Sequence, residues 1–340
     1  MRASPKASSI CFTLSKSKPR KNGSSWPAHG GFANVTSMRF AALILGLAAL
    51  IAVPARADDI PGVAAFKAGD YAGALTAFKE GAAAGNAEAR YWLGRMYDGG
   101  LGVAADPAEA LKWFLAAADA GNSEAMRIVG VYYEQGKSVD EDADAAVKWY
   151  ARAAKAGNAK AMRNLGTMYI DGKGVKPDQQ KAKELFEEAA KLGNTDAMRN
   201  LGYMYYFGFD GAPADFQLAA EYFAKSAESG EARSVFDLGR LYYRGQGVER
   251  DLKKAAEYFE VAAADGYARA QVFLGRMYYM GEGVKKDPET AYYWLTLAAA
   301  QEHDNAEVYL KRLRGELSSD ARARIEEKAR AFRPRTARAD

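Results

Sequence analysis

Cysteine is all but absent: Cys11 is the one in the chain. Histidine is nearly as scarce, with His29 and His303 only. From residue 58 onward no disulfide can form, whatever the compartment. One histidine in that stretch argues against a histidine-based zinc site or a Ser-His-Asp triad. No metal or cofactor is implied. The apolar run Ala41–Val53 is thirteen residues long. A bilayer span needs about 20. Val, Ile and Thr are sparse beside Ala, Leu, Lys and Glu, which favours helix over strand.

Acidic residues are missing from residues 1–57, which carry Arg2, Lys6, Lys16, Lys18, Arg20, Lys21, Arg39 and Arg56. Taking these eight from the 47 basic residues leaves 39 against 43 acidic, a net of −4. The formal charge of +4 therefore belongs to the N-terminal segment, and nucleic acid is not an expected partner. "MRFAALILGLAALIAVPARADD" explains the segment. Arg39 supplies a short basic start, the apolar run follows, and Ala55-Arg56-Ala57 has the small-x-small pattern of a cleavage site. Residues 38–57 are expected to be a signal peptide cleaved after Ala57, with Met38 as the start. Residues 1–37 then form a non-native or mis-assigned extension. The protein is exported and periplasmic on this reading; an uncleaved anchor is the competing one.

What is abundant is repetition. "AMRNLG" stands at Ala161–Gly166 and again at Ala197–Gly202. Gly94, Gly130, Gly166, Gly202, Gly239 and Gly275 recur at spacings of 36 or 37, each three residues before a Tyr. Ala110, Ala146, Ala182, Ala219, Ala255 and Ala291 form a second series, and Gly85, Gly121, Gly157, Gly193, Gly230 and Gly266 a third. Such a period marks a stacked repeat array.

Each unit reads as two helices. Ala89, Trp92, Leu93, Met96 and Tyr97 fall on one helical face. Asp106-Pro107 starts the second helix, and Gly121 ends it. A glycine inside a helix costs about 1 kcal/mol relative to alanine. Its recurrence predicts close approach of the paired helix, with the recurring Ala facing it. The expected fold is an all-α solenoid. Residues 58–86 form an N-terminal capping hairpin. Six units follow at 87–122, 123–158, 159–194, 195–231, 232–267 and 268–303. Residues 304–334 form two capping helices, parted near Gly315, and 335–340 a disordered tail. Unit two breaks the loop pattern at Ser138, and unit four has "FGFDGAPAD", one residue longer.

The unit "AMRNLGTMYIDGKGVKPDQQKAKELFEEAAKLGN" resembles the Sel-1-like repeat, a relative of the tetratricopeptide repeat. The 36-residue period and the G-x-G-V loop favour the Sel-1-like type over the 34-residue relative. The resemblance implies a right-handed superhelix whose concave surface binds proteins, in adaptors, assembly factors or regulators of membrane sensors. It also implies an alternative, a cell-wall enzyme or accessory like the β-lactam-binding members. Those are cysteine-rich, and these repeats have no cysteine. An envelope spacer is a third reading.

Catalytic constellations are not expected. Ser15–Lys18 matches a Ser-x-x-Lys pattern but lies ahead of the cleavage site. "GKGVKPD" and its counterparts follow a helix, whereas a dinucleotide loop needs a preceding strand. Binding candidates are the variable first-helix positions three before, one after and four after the repeat glycine. They include Tyr91, Arg127, Arg163, Arg199 and Phe236 in the first column. Arg95, Tyr203, Arg240 and Arg276 stand in the second, and Tyr206, Tyr243 and Tyr279 in the third. Arg and Tyr are enriched at interface hot spots. Arg127, Arg163 and Arg199 form an expected basic ladder for an extended, partly acidic protein segment. The implied partner is a membrane sensor or an envelope assembly component. From Ala306 on, ten basic residues face six acidic ones, so any membrane contact is weak and confined to that end.

Overall fold

The computed structural model describes residues 60–335, and among them every regular element is a helix. The signal peptide, the extension before it and residues 336–340 lie outside the described residues. The N-terminal pair is α1 (Val63–Lys67) and α2 (Tyr71–Ala83). Six hairpins follow: α3 (Ala87–Gly99) with α4 (Pro107–Asp119), α5 (Ser123–Gln135) with α6 (Ala143–Lys155), and α7 (Ala159–Asp171) with α8 (Gln179–Lys191). The next three are α9 (Thr195–Phe207) with α10 (Phe216–Ala227), α11 (Ala232–Arg244) with α12 (Leu252–Ala264), and α13 (Ala268–Met280) with α14 (Pro288–Ala299). The chain closes with α15 (Asp304–Glu316) and α16 (Ser319–Arg330). Each hairpin packs on the next, so the core is a line of contacts and not a single centre.

The repeat glycine is where the two helices of a hairpin meet. Its neighbour differs from the expected alanine. A Cβ on Gly94 would lie 2.6 Å from the ring of Phe114, and one on Gly166 2.5 Å from Phe186. Tyr150, Phe223 and Phe259 stand in the same place opposite Gly130, Gly202 and Gly239, and Leu295 opposite Gly275. The contact is small against large. The recurring alanines, one turn earlier on the second helix, are fully buried.

Capping fixes the register. Asp106, Asp142, Asp178, Asp215, Asp251 and Asp287 each accept from backbone amides at the start of the second helix. The backbone N–H of each donates to the carbonyl of the unit's repeat tyrosine, as from Asp178 to Tyr169 at 3.0 Å. The loop between closes on the preceding unit. A Cβ on Gly174 would lie 2.4 Å from the Ala143 carbonyl, so no side chain fits there. In unit two Ser138 occupies the equivalent place with φ 61°, a conformation that suits glycine.

First helices are capped by Asn86, Asn122, Asn158 and Asn194. Glu231 does this work in unit five. Where unit four meets unit five, two of the array's alanine positions are serines, and Ser226 of α10 and Ser234 of α11 share a buried 2.7 Å hydrogen bond.

The two helices of the C-terminal cap part at Leu317 and Ser318, two residues beyond Gly315, which lies within α15. The cap departs from expectation at one point. The start of the expected disordered tail is docked: Arg335 pairs with Asp265 at 2.8 Å, and its N–H donates to the Ala264 carbonyl.

Candidate functional site

The first helices turn one face away from their partners, and the candidate residues fall along it. Two do not reach solvent. Tyr91 is 8% exposed and Phe236 2% exposed. Both are core residues that fill the seam between units. Phe236 packs on Phe259, Tyr267 and Phe273. A ring at that position can be covered by the next hairpin, whereas an Arg there must carry its charge outward.

The arginine ladder is present, but it is not a free basic stripe. Arg127 grips Glu124, with a closest contact of 2.7 Å. Arg163 reaches Asp196 in the next unit at 3.2 Å. Arg199 lies between Asp196 at 3.3 Å and Glu231 at 2.8 Å. Arg240 meets Asp237 at 3.2 Å, and Arg276 meets Glu282 at 3.2 Å. Arg95 donates to the Tyr91 hydroxyl at 3.0 Å. The ladder is thus mostly neutralised by carboxylates of its own face, and the Arg163 and Arg199 pairs to Asp196 and Glu231 reach the next hairpin. Burial alone would raise the Glu124 carboxyl, yet hydrogen bonds from Arg127 and Asn158 outweigh it and hold the pKa below the ordinary value. The Glu-x-x-Arg and Asp-x-x-Arg spacings, Glu124 to Arg127 and Asp196 to Arg199, were the sequence signal for this pairing.

The tyrosines join the same network. Tyr203 donates to Asp237 at 2.5 Å, across the boundary between units four and five. Asp237 is 3% exposed, and burial pushes its pKa up against the pull of Tyr203 and Arg240. Tyr206 donates to Gln246 and accepts from Arg244 at 2.7 Å. Tyr243 donates to Glu282 at 2.7 Å and contacts Arg276. Tyr279 donates to Glu316 at 3.3 Å and packs on Tyr309.

The polar face is interrupted at its C-terminal end by the exposed Met280 of α13, and in its middle. Ile170 of unit three and Phe207 of unit four are exposed there, Phe207 by 72%. They line a recess of about 310 Å³ with Thr167, Asn200, Tyr203, Met204 and Phe209. Sequence columns passed over Phe207, Phe209 and Arg244. The longer unit-four loop was the signal at this place. A second cavity of about 300 Å³ lies at the C-terminal end between Phe273, Arg276, Val308 and Tyr309. No group of three or more metal-ligating side chains occurs among the described residues. No helix among them is long and apolar enough to cross a membrane.

The Sel1 repeat family model matches residues 87–122, 123–158, 159–194, 195–231, 232–267 and 268–303. The structure is similar to that of a Sel1 repeat protein from Oxalobacter formigenes, with 34% identity and a TM-score of 0.68 over 72% of this chain and 100% of that one. A protective antigen of uropathogenic Escherichia coli with an SLR fold is similar at 22% identity, with a TM-score of 0.41 over 84% of this chain and 78% of that one. A search of curated proteins found no match.

Proposed function

Because the chain belongs to the Sel1 repeat family, whose solenoids are protein-interaction scaffolds, we propose that it is an adaptor or regulator of the bacterial cell envelope. It binds an extended segment of a partner protein along the face of its first helices, and it acts by binding and not by chemistry. The observation that carries this reading is the composition of that face. Arg95, Tyr203, Tyr206, Arg240, Tyr243, Arg276 and Tyr279 stand along it in units one, four, five and six, and the Phe207 recess opens among them. Arg, Tyr and Phe supply bidentate hydrogen bonds and large rigid contact area, the chemistry of interface hot spots. The carboxylates beside the arginines order the side chains in advance, which lowers the entropy lost on binding.

The envelope location rests on the N-terminal segment. Export through the leader ending at Ala57 places the mature N-terminus at Asp58. Recovery from the periplasmic fraction of a chain starting at Asp58, read by N-terminal sequencing, tests it; a chain retaining Met38 in the membrane fraction contradicts it.

Binding is tested by affinity capture from an envelope extract of the source cells. The wild-type chain is compared with a folded Arg95→Glu, Arg163→Glu, Met280→Glu variant, Met280 being the exposed last residue of α13. A protein retained by the wild type and lost from the variant supports the scaffold reading. Equal retention of every captured protein contradicts it.

A further inference from the structure

In five of the six units the first helix ends on a left-handed glycine. Gly100, Gly136, Gly172, Gly245 and Gly281 have φ of 64–76° and ψ of 28–40°. Unit four breaks this rule. Gly208 has φ 77° but ψ 159°, a region open to glycine and closed to other residues. The chain leaves α9 in a different direction. The loop is then pinned: a Cβ on Gly208 would meet the Ala212 carbonyl at 2.4 Å, and Asp210 N–H donates to the Gln179 side chain at 2.6 Å. Phe209 turns onto Tyr205 at a ring distance of 5.6 Å. Phe207, the final residue of α9, is exposed, as is the residue at the same helix position in the other five units, Met280 of unit six among them.

Its surroundings are built, not loose. Phe207 stacks on Tyr203 at 6.2 Å and meets Tyr206 edge-on at 4.9 Å. With Ile170 it makes an apolar wall that water covers unfavourably. The charges beside it are polarised. The same helix position holds Asp171 in unit three and Arg244 in unit five, both exposed. Arg127, Arg163, Arg199, Arg240 and Arg276 all have carboxylate partners. Arg244 makes no ion pair among the described residues, and one of its guanidinium nitrogens holds the Tyr206 hydroxyl at 2.7 Å.

We propose that this recess takes a single large apolar side chain of an extended partner segment, and that an acidic residue of the segment, on its unit-five side, binds Arg244. The proposal rests on the interaction-scaffold reading and names the partner's chemistry. A cavity of about 310 Å³ has room for a side chain and not for a domain. Arg244 at one end and Asp171 at the other, neither ion-paired among the described residues, set an order along the face: neutral or basic, then apolar, then acidic.

The test is selection of a random dodecapeptide library displayed on phage against the chain from residue 58, with an unrelated helical-repeat protein as counter-selection. The expected peptides carry one aromatic or large aliphatic residue with Asp or Glu within a few positions on one side of it. Their affinity, read by fluorescence anisotropy, falls about tenfold or more on Phe207→Ser, a change at an exposed site that leaves the thermal midpoint in place. Arg244→Glu weakens them as well, and exchanging the peptide acid for Lys restores binding to that variant. Peptides that bind Phe207→Ser as well as wild type, yet fail on the Arg95→Glu, Arg163→Glu, Met280→Glu variant, overturn this recess and leave the scaffold standing. Failure to enrich any peptide overturns the recess, while the capture experiment judges the scaffold separately. Self-association of the wild type that Phe207→Ser abolishes overturns it in favour of a second copy of the chain.

Discussion

Phe186 covers Gly166 so closely that a Cβ on the glycine would sit 2.5 Å from the ring. The ring is buried, at 2% exposure, and cannot swing aside. Gly166→Ala should therefore lower stability by about 1–3 kcal/mol, the range for overpacking a tight core. In an open helix the same change helps. Gly315 lies within α15 with nothing within 4 Å of a Cβ, and Gly315→Ala should raise stability by about 0.5–1 kcal/mol. Urea titration of both variants checks the opposite signs.

Ser138 tests the loop rule from the other side. It is exposed and holds φ 61° where the other five units have glycine or a longer loop. A non-glycine residue in that region is strained by roughly 1–2 kcal/mol, which glycine's greater chain entropy offsets in part. Ser138→Gly should gain about 0.5–1 kcal/mol, seen as a higher thermal midpoint. An unchanged or lower midpoint counts against the account of this loop.

Acid sensitivity has a defined contributor in Glu124. Its pKa lies below the ordinary 4.5 because hydrogen bonds from Arg127 and Asn158 outweigh its burial. A lowered folded-state pKa gives stability that is full above the unfolded value and is lost as pH falls through the folded one. Glu124→Gln should cost stability at pH 7, and the difference from wild type should shrink as pH drops below 4.5. Urea midpoints of both proteins at pH 7 and pH 3.5 measure the difference. Asp237 works in the opposite sense. Its raised pKa favours the protonated folded state, so Asp237→Asn should steepen the acid loss.

These cases show what the sequence could and could not reveal. Period, helix ends and the glycine series are local patterns, and they carried the solenoid. The glycine's true neighbour was not local: Phe186 lies twenty residues on, and one helical turn separates it from Ala182. The arginine column was legible, and its carboxylates were legible too, three residues earlier at Glu124 and Asp196. Tyr91 and Phe236 show why a column alone is insufficient, since the next hairpin decides whether a side chain sees solvent. The recess was the least legible part. It is lined in part by Gly208 and Phe209 of the unit-four loop, whose path, with ψ 159° at Gly208, the letters "FGFDG" do not disclose.

The most direct test of the central claim is photocrosslinking in the source cells. A photoreactive residue is placed at Thr167 or Ile170 on the first-helix face, and at the exposed Leu192 on the turn between units three and four. Crosslinked products are identified by mass spectrometry. The account predicts one reproducible envelope protein captured from Thr167 and Ile170 and not from Leu192. Capture of no reproducible protein from the first-helix face, or equal capture from Leu192, would contradict it.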